Sequence, residues 1–288
     1  MLEKVLIATD FSPASDCLLH CAGEFKSLGL KEAVLAHVIY VANTPGLEDR
    51  LMDEVRPQIA RQQRLLEEQG IKVTPELRYG VPARELDTLA EQHGANWILI
   101  GSRGRSLVKT LLGSISFRVL QVSRRPVFLS RIEVLGEGES CSISVCKRSF
   151  DNILFATDFS DAAYAAFEHL VKIAEAYRPR ITLLHVLDEE FAEIHLSGQG
   201  MVQQQAKDEE RLGLMKKRLE ELGARVSLAW EVGKPDRAIV ERTRNEDFTL
   251  VVMGNHGRGF LREALLGSVA NTVARQAATP VLLVPSAP

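Results

Sequence analysis

The sequence predicts an α/β fold present twice: two tandem domains, each a five-stranded parallel sheet with helices on both faces. Three observations predict it. First, an ordered set of short segments recurs about 150 residues later. VLIATDFS (5–12) returns as ILFATDFS (153–160) and LAHV (35–38) as LLHV (183–186). LLEEQGIKV (65–73) returns as RLEELGARV (218–226), GVPAREL (80–86) as GKPDRAI (233–239), and GSRGRS (101–106) as GNHGRG (254–259). Second, within each copy short aliphatic runs alternate with longer amphipathic stretches, the pattern of a parallel sheet with right-handed crossovers. Third, a Gly/Ser-rich stretch (131–149) separates the copies and reads as a linker.

The elements follow in order. In the first copy the strand-like runs are VLIAT (5–9), AVLAHVIYV (33–41), KVTPELRY (72–79), WILIG (97–101) and PVFLS (126–130). Between them 14–28, 48–69, 83–93 and 115–123 read as helices. The offset grows by five residues between the second strand and the next helix, so the second copy carries an insertion around EEFAEIHLSGQG. LLGSIS (111–116) against LLGSVA (265–270) adds one residue more, and ATPVLLV (278–284) closes the second copy. The expected boundaries are 1–131 and 150–288 for the domains and 132–149 for the linker.

Composition sets outer limits. With 45% apolar and 25% charged residues the chain has the make-up of a soluble globular protein. A net charge of −3 argues against a broad grip on nucleic acid or an anionic membrane. No leader and no membrane span is legible, so a cytoplasmic location is expected. Of the four cysteines, 17, 21, 141 and 146, none has a counterpart in the second copy. Cys17, His20 and Cys21 share a helix face and could join Cys141 and Cys146 in a metal site. Without a Cys-x-x-Cys pair, reduced and buried thiols are the expectation, and a Cys141–Cys146 disulfide would be unusual in a reducing cytoplasm.

In sheets of this kind ligands sit at the carboxyl ends of strands, where strand order reverses. After the fourth strand of the second copy comes Gly254-Asn255-His256-Gly257, then nine residues, then Gly267-Ser268 opening a helix. Glycines let the backbone approach an anion, and a helix start offers unpaired N–H groups and its positive dipole end. His256 and Arg258 could add charge. After the first strand each copy has Thr-Asp, at Thr9-Asp10 and Thr157-Asp158. That carboxylate either caps the next helix or accepts from ribose hydroxyls, and the phosphate-type loop favours the ribose. Neither the P-loop pattern nor the three-glycine dinucleotide pattern is met: Pro235 follows Gly233-Lys234, and Arg262 stands where a third glycine is needed.

ATDFS, LLHV, the Gly-x-x-Gly followed nine residues later by Gly-Ser, and the final PVLLV together resemble the universal stress protein family, here in tandem. The resemblance covers nearly all of both copies. It implies two Rossmann-like (adenine nucleotide alpha hydrolase-like) domains of strand order 3-2-1-4-5, with final strands pairing into an intrachain pseudo-dimer and a homodimer also open. It implies adenine nucleotide (ATP or AMP, with or without Mg²⁺) at the loops. In the second copy Thr157 and Asp158 would meet the ribose, with the Val186 backbone and Met253 at the adenine. Gly254, Gly257, Gly267, Ser268, Val269 and Ala270 would surround the phosphates, with His256 and Arg258 the nearby groups already noted for charge. In the first copy the corresponding residues are Asp10, Val38, Ile100, Gly101, Gly104, Gly113, Ser114, Ile115 and Ser116, with eight rather than nine residues between Gly104 and Gly113.

His37 and His185 in the second strands read as buried, hydrogen-bonded side chains, while His20, His93, His169 and His195 have no partner that spacing reveals. The charge runs 60–69 and 207–221 read as solvated helix faces. No catalytic set and no dedicated metal ligand is legible. The reading is a nucleotide-binding regulatory or stress-response protein with an unknown protein partner. Its alternatives are a scaffold with empty pockets and a slow ATPase.

Overall fold

The apolar runs become the strands of parallel sheets in a computed structural model that describes residues 2–40, 48–102, 112–131, 148–257 and 266–286. The chain divides into two compact units, Met1–Arg148 and Ser149–Pro288. In the first, β1 (Lys4–Ala8) lies between β2 (Glu32–Ile39) and β4 (Trp97–Gly101). Strand β3 (Lys72–Tyr79) flanks β2, and β5 (Val127–Ser130) flanks β4. The order is 3-2-1-4-5, all parallel. The second unit repeats it with β6 (Asn152–Ala156) central, β7 (Arg180–Asp188) and β8 (Arg225–Gly233) to one side, and β9 (Leu250–Gly254) and β10 (Val281–Val284) to the other. Every residue of β6, β9 and β10 is buried. A parallel strand covered by helices on both faces reads as an unbroken apolar run for that reason.

The helices of the first unit are α1 (Pro13–Cys21), α2 (Glu48–Glu67), α3 (Pro82–Gln92) and α4 (Ser114–Val122). The stretch expected as one helix over 14–28 is two pieces, α1 and then a 3₁₀ segment, Ala22–Leu28. Gln69 accounts for the change at Gly23: its Oε1 accepts from the Gly23 N–H at 2.9 Å. The second unit has α5 (Asp161–Tyr177), α6 (Glu189–His195), α7 (Gly198–Glu221), α8 (Pro235–Asn245) and α9 (Ser268–Gln276). The insertion therefore builds α6 and the start of α7. Asp188 starts α6 by accepting from the Phe191 N–H at 3.0 Å.

Two sequence-based expectations need correction here. Cys17 and Cys21 are both disulfide-bonded rather than reduced, and no cysteine among the described residues is free. Spacing along a chain does not report which sulfurs meet in space; Cys141 and Cys146 lie outside the described residues. The charge runs are also not wholly solvated. Gln62 and Asp208 have no exposed surface at all. Gln62 donates from Nε2 to Asp16 Oδ1 at 2.6 Å, and Asp208 faces His185. Among the described residues no helix is long and apolar enough to cross a membrane.

Candidate functional site

In the second unit the chain leaves β6 through Thr157-Asp158-Phe159-Ser160 and enters α5. Ser160, not Asp158, caps that helix, its hydroxyl accepting from the Ala163 N–H at 3.3 Å. Asp158 Oδ1 accepts from the Ser160 N–H two residues on, at 3.0 Å, and Thr157 Oγ1 accepts from the Phe159 N–H at 3.0 Å. These bonds hold Phe159 at φ 59°, a left-handed conformation that is costly for a bulky residue. The Phe159 ring packs on His185 with centroids 4.7 Å apart. The first unit repeats the turn: Ser12 caps α1, Asp10 Oδ1 accepts from the Ser12 N–H at 3.1 Å, and Phe11 sits at φ 60°.

The glycines after β9 each answer a specific crowding. A Cβ on Gly254 would lie 2.9 Å from backbone atoms of Ala162 and Ala163, so its absence lets α5 rest against the strand. A Cβ on Gly257 would stand 2.8 Å from Asp158 Oδ2, which places the loop directly over that carboxylate. Gly267 donates its N–H to the Asn255 carbonyl at 2.8 Å, and a Cβ there would press on the same oxygen at 3.1 Å. Ser160 Oγ donates to the His256 carbonyl at 3.3 Å and ties the loop to α5. Helix α9 then starts at Ser268 with no side-chain cap. Its first helical bond runs from the Asn271 N–H to the Gly267 carbonyl. The N–H groups of Ser268, Val269 and Ala270 thus have no helical acceptor.

These parts enclose a cavity of 610 Å³ at the carboxyl ends of β6, β7 and β9. It brings together Thr157, Asp158, Val186, Met253, Gly254, His256, Gly257, Gly267, Ser268, Val269 and Ala270. Arg258 falls outside the described residues. The first unit has a cavity of 320 Å³ lined by Asp10, Val38, Ile100, Gly101, Gly113, Ser114, Ile115 and Ser116. Gly104 falls outside the described residues. Sequence reasoning missed Phe191, which the insertion adds to the wall of the larger cavity, and also Asp188, Gln204, Pro235 and Ile239. The five-residue offset was the one signal for Phe191.

Strand geometry explains the place of Val186. Thr157 donates its N–H to the Leu184 carbonyl at 2.9 Å, so residue 184 turns its backbone groups toward β6. By the two-residue alternation of a strand, Val186 turns its own groups the same way, beyond the last residue of β6. Val38 stands likewise past β1, because Thr9 bonds the Ala36 carbonyl at 3.0 Å.

The charges differ from expectation. Burial pushes the His256 imidazole below its ordinary value, so the ring resists charging and is a poor source of positive charge for an anion. His185 is buried, its Nδ1 2.7 Å from the Thr157 carbonyl and its Nε2 3.3 Å from Asp208 Oδ2. His37 makes the matching contact with the Thr9 carbonyl at 2.8 Å. His93, for which spacing shows no partner, stands 2.9 Å from Glu76 Oε1.

The universal stress protein family model matches residues 1–131 and again 149–285. A universal stress protein of Mycolicibacterium smegmatis is 27% identical over 306 residues, covering 97% of this chain and 96% of its own. One from Methanocaldococcus jannaschii is 30% identical over 155 residues, covering 47% of this chain and 94% of its own. The crystal structure of a universal stress protein from Archaeoglobus fulgidus superposes with a TM-score of 0.78 at 25% identity, covering 99% of each chain. Two matches of one family model, spanning nearly the whole sequence, agree with the repeat and with the strand order 3-2-1-4-5 within each unit: the chain belongs to the universal stress protein family and carries that family's domain twice.

Proposed function

We infer that the chain is an adenine-nucleotide-binding regulatory protein, with the larger cavity of the second unit as its principal site. One observation carries the reading. A cavity at the switch point of a parallel sheet combines three uncapped helix N–H groups, a glycine loop lying over a carboxylate, and a strand edge open past its neighbour. The uncapped start of α9 suits a phosphate chain, because its N–H groups and dipole stabilise negative charge without a cation. Asp158 keeps acceptor capacity suited to ribose hydroxyls. Met253 and Ile239 offer apolar surface to a base, and the Val186 backbone offers a donor and an acceptor to its edge. A nucleotide would supply the negative charge and the stacking surface that this arrangement accommodates, and Mg²⁺ would enter with the phosphates.

The groups hold rather than transform, so occupancy is the signal and a protein partner reads it. Isothermal titration of the full chain with ATP, ADP and AMP tests the reading. Saturable binding that inorganic triphosphate competes away supports it; the absence of binding to any of the three overturns it.

A further inference from the structure

Gln204 and Asp208 stand one turn apart on α7. Asp208 is wholly buried, whereas Gln204 is half-buried and lines the larger cavity. The Gln204 amide nitrogen lies 3.0 Å from both carboxylate oxygens of Asp208. A carboxylate only accepts, so the NH₂ end of the amide has to face it; the reversed amide would set oxygen against oxygen in a buried place. Asp208 is anchored in turn by His185 Nε2 at 3.3 Å and by Trp230 Nε1 at 3.5 Å. With its nitrogen turned to Asp208, the carbonyl oxygen is the end of the Gln204 amide directed away from that carboxylate, in a residue that lines the cavity. The same network grips His185, the residue before the open strand position Val186. By the 153-residue offset that aligns the ends of these helices, the equivalent positions in the first copy are Leu51 and Val55. Neither can provide such an acceptor.

We propose that Gln204 selects the base in the second cavity, its carbonyl accepting a hydrogen bond from the exocyclic amino group of a 6-aminopurine. Asp208 is the positioning residue that keeps the amide turned that way. The proposal rests on the nucleotide reading of the same cavity. A 6-oxopurine would bring a carbonyl against a carbonyl, so the site disfavours it, whereas the first cavity has no such preference from this wall.

The test compares ATP with inosine triphosphate, which replaces the 6-amino group by an oxygen, by titration calorimetry on the full chain. The binding phase of the second cavity is the one that Gly257→Val removes. In the wild type that phase should favour ATP at least tenfold. Gln204→Leu, on a half-buried helix position, should narrow the preference about five- to tenfold, the worth of one hydrogen bond and its mismatch. Asp208→Asn, which lets the amide turn over, should narrow it in the same direction, with circular dichroism verifying that the variant is folded. A wild type indifferent to the 6-substituent, or an unchanged ratio in Gln204→Leu with ATP binding intact, overturns base selection and leaves nucleotide binding standing. No phase sensitive to Gly257→Val with either nucleotide overturns the nucleotide reading and this proposal with it.

Discussion

The two cavities share a frame but differ in what already occupies their polar groups. In the first unit Ser15 Oγ donates to Asp10 Oδ1 at 2.6 Å, beside the Ser12 N–H that also reaches this oxygen. The equivalent of Ser15 in the second unit is Ala163, and Asp158 Oδ1 takes the backbone N–H of Ser160. In the first unit Ser116 Oγ donates to the Gly101 carbonyl at 2.7 Å; the matching residue of the second unit is Ala270. The second cavity is also larger, 610 against 320 Å³, and Phe191, from an insertion that the first copy lacks, lines it. A shared motif therefore does not imply equal binding. The groups that would meet a ligand in the first copy are partly satisfied from within, and a ligand there has to compete for them.

The largest effect expected is from Gly257→Val. Its branched side chain would run into Asp158 Oδ2, and ATP binding to the second cavity should vanish while the first unit keeps whatever affinity it has; calorimetry on the full chain reads both. Next comes the covalent difference. Cys17 and Cys21 sit in disulfides, whereas residues 149–288 contain no cysteine. Reduction should lower the stability of the first unit by about 2–4 kcal/mol and leave the second unit's melting in place. Alkylation of either cysteine in unreduced, denatured protein would contradict the bonded state.

A pH difference follows in size. Burial, reinforced by Lys172, pushes His169 down to about 4, and Cys21 occupies the matching place in the first unit. A base whose folded value lies below its unfolded one contributes stability above the unfolded value and loses it as the pH falls toward the folded one. The second unit should therefore lose about 2 kcal/mol between pH 6.5 and 4, and His169→Gln should flatten that slope in urea titrations. The smallest effect sharpens the contrast most directly. Ala163→Ser should give Asp158 the internal donor that Asp10 already has, weakening ATP binding roughly fivefold, about 1 kcal/mol; Ser15→Ala should strengthen the first cavity by a similar factor.

Much of this was legible in the residues because duplication printed the frame twice. The Thr-Asp pair, the His-Val of the second strands and the Gly-x-x-Gly with its Gly-Ser marked both the sheet ends and the residues that line the cavities. What stayed hidden depended on partners remote in sequence. Gly254 reads as a phosphate glycine, yet its missing Cβ also admits α5, a contact across 91 or more residues. Asp158 reads as cap or ligand, and the adjacent serine takes the cap. Asp208 sits among Lys207, Glu209 and Glu210, and the approach of His185 and Trp230 from the sheet, with Gln204 one turn away, explains a buried carboxylate in that company. The capacity of EEFAEIHLSGQG to form a helix and begin another was legible only as extra length.

The buried Asp208 has a consequence for how α7 seats on its sheet. This long helix is mostly polar, and apolar packing alone would tolerate small changes in its axial position. A slip by one turn, about 5.4 Å, would carry the side chain away from His185 and Trp230 and leave a buried polar group without those partners. Such unsatisfied burial costs roughly 1–3 kcal/mol, a large share of the stability of an ordinary domain. Asp208 thus works as a key in a slot: the helix fits at one height, and the cavity wall it carries is set at that height with it.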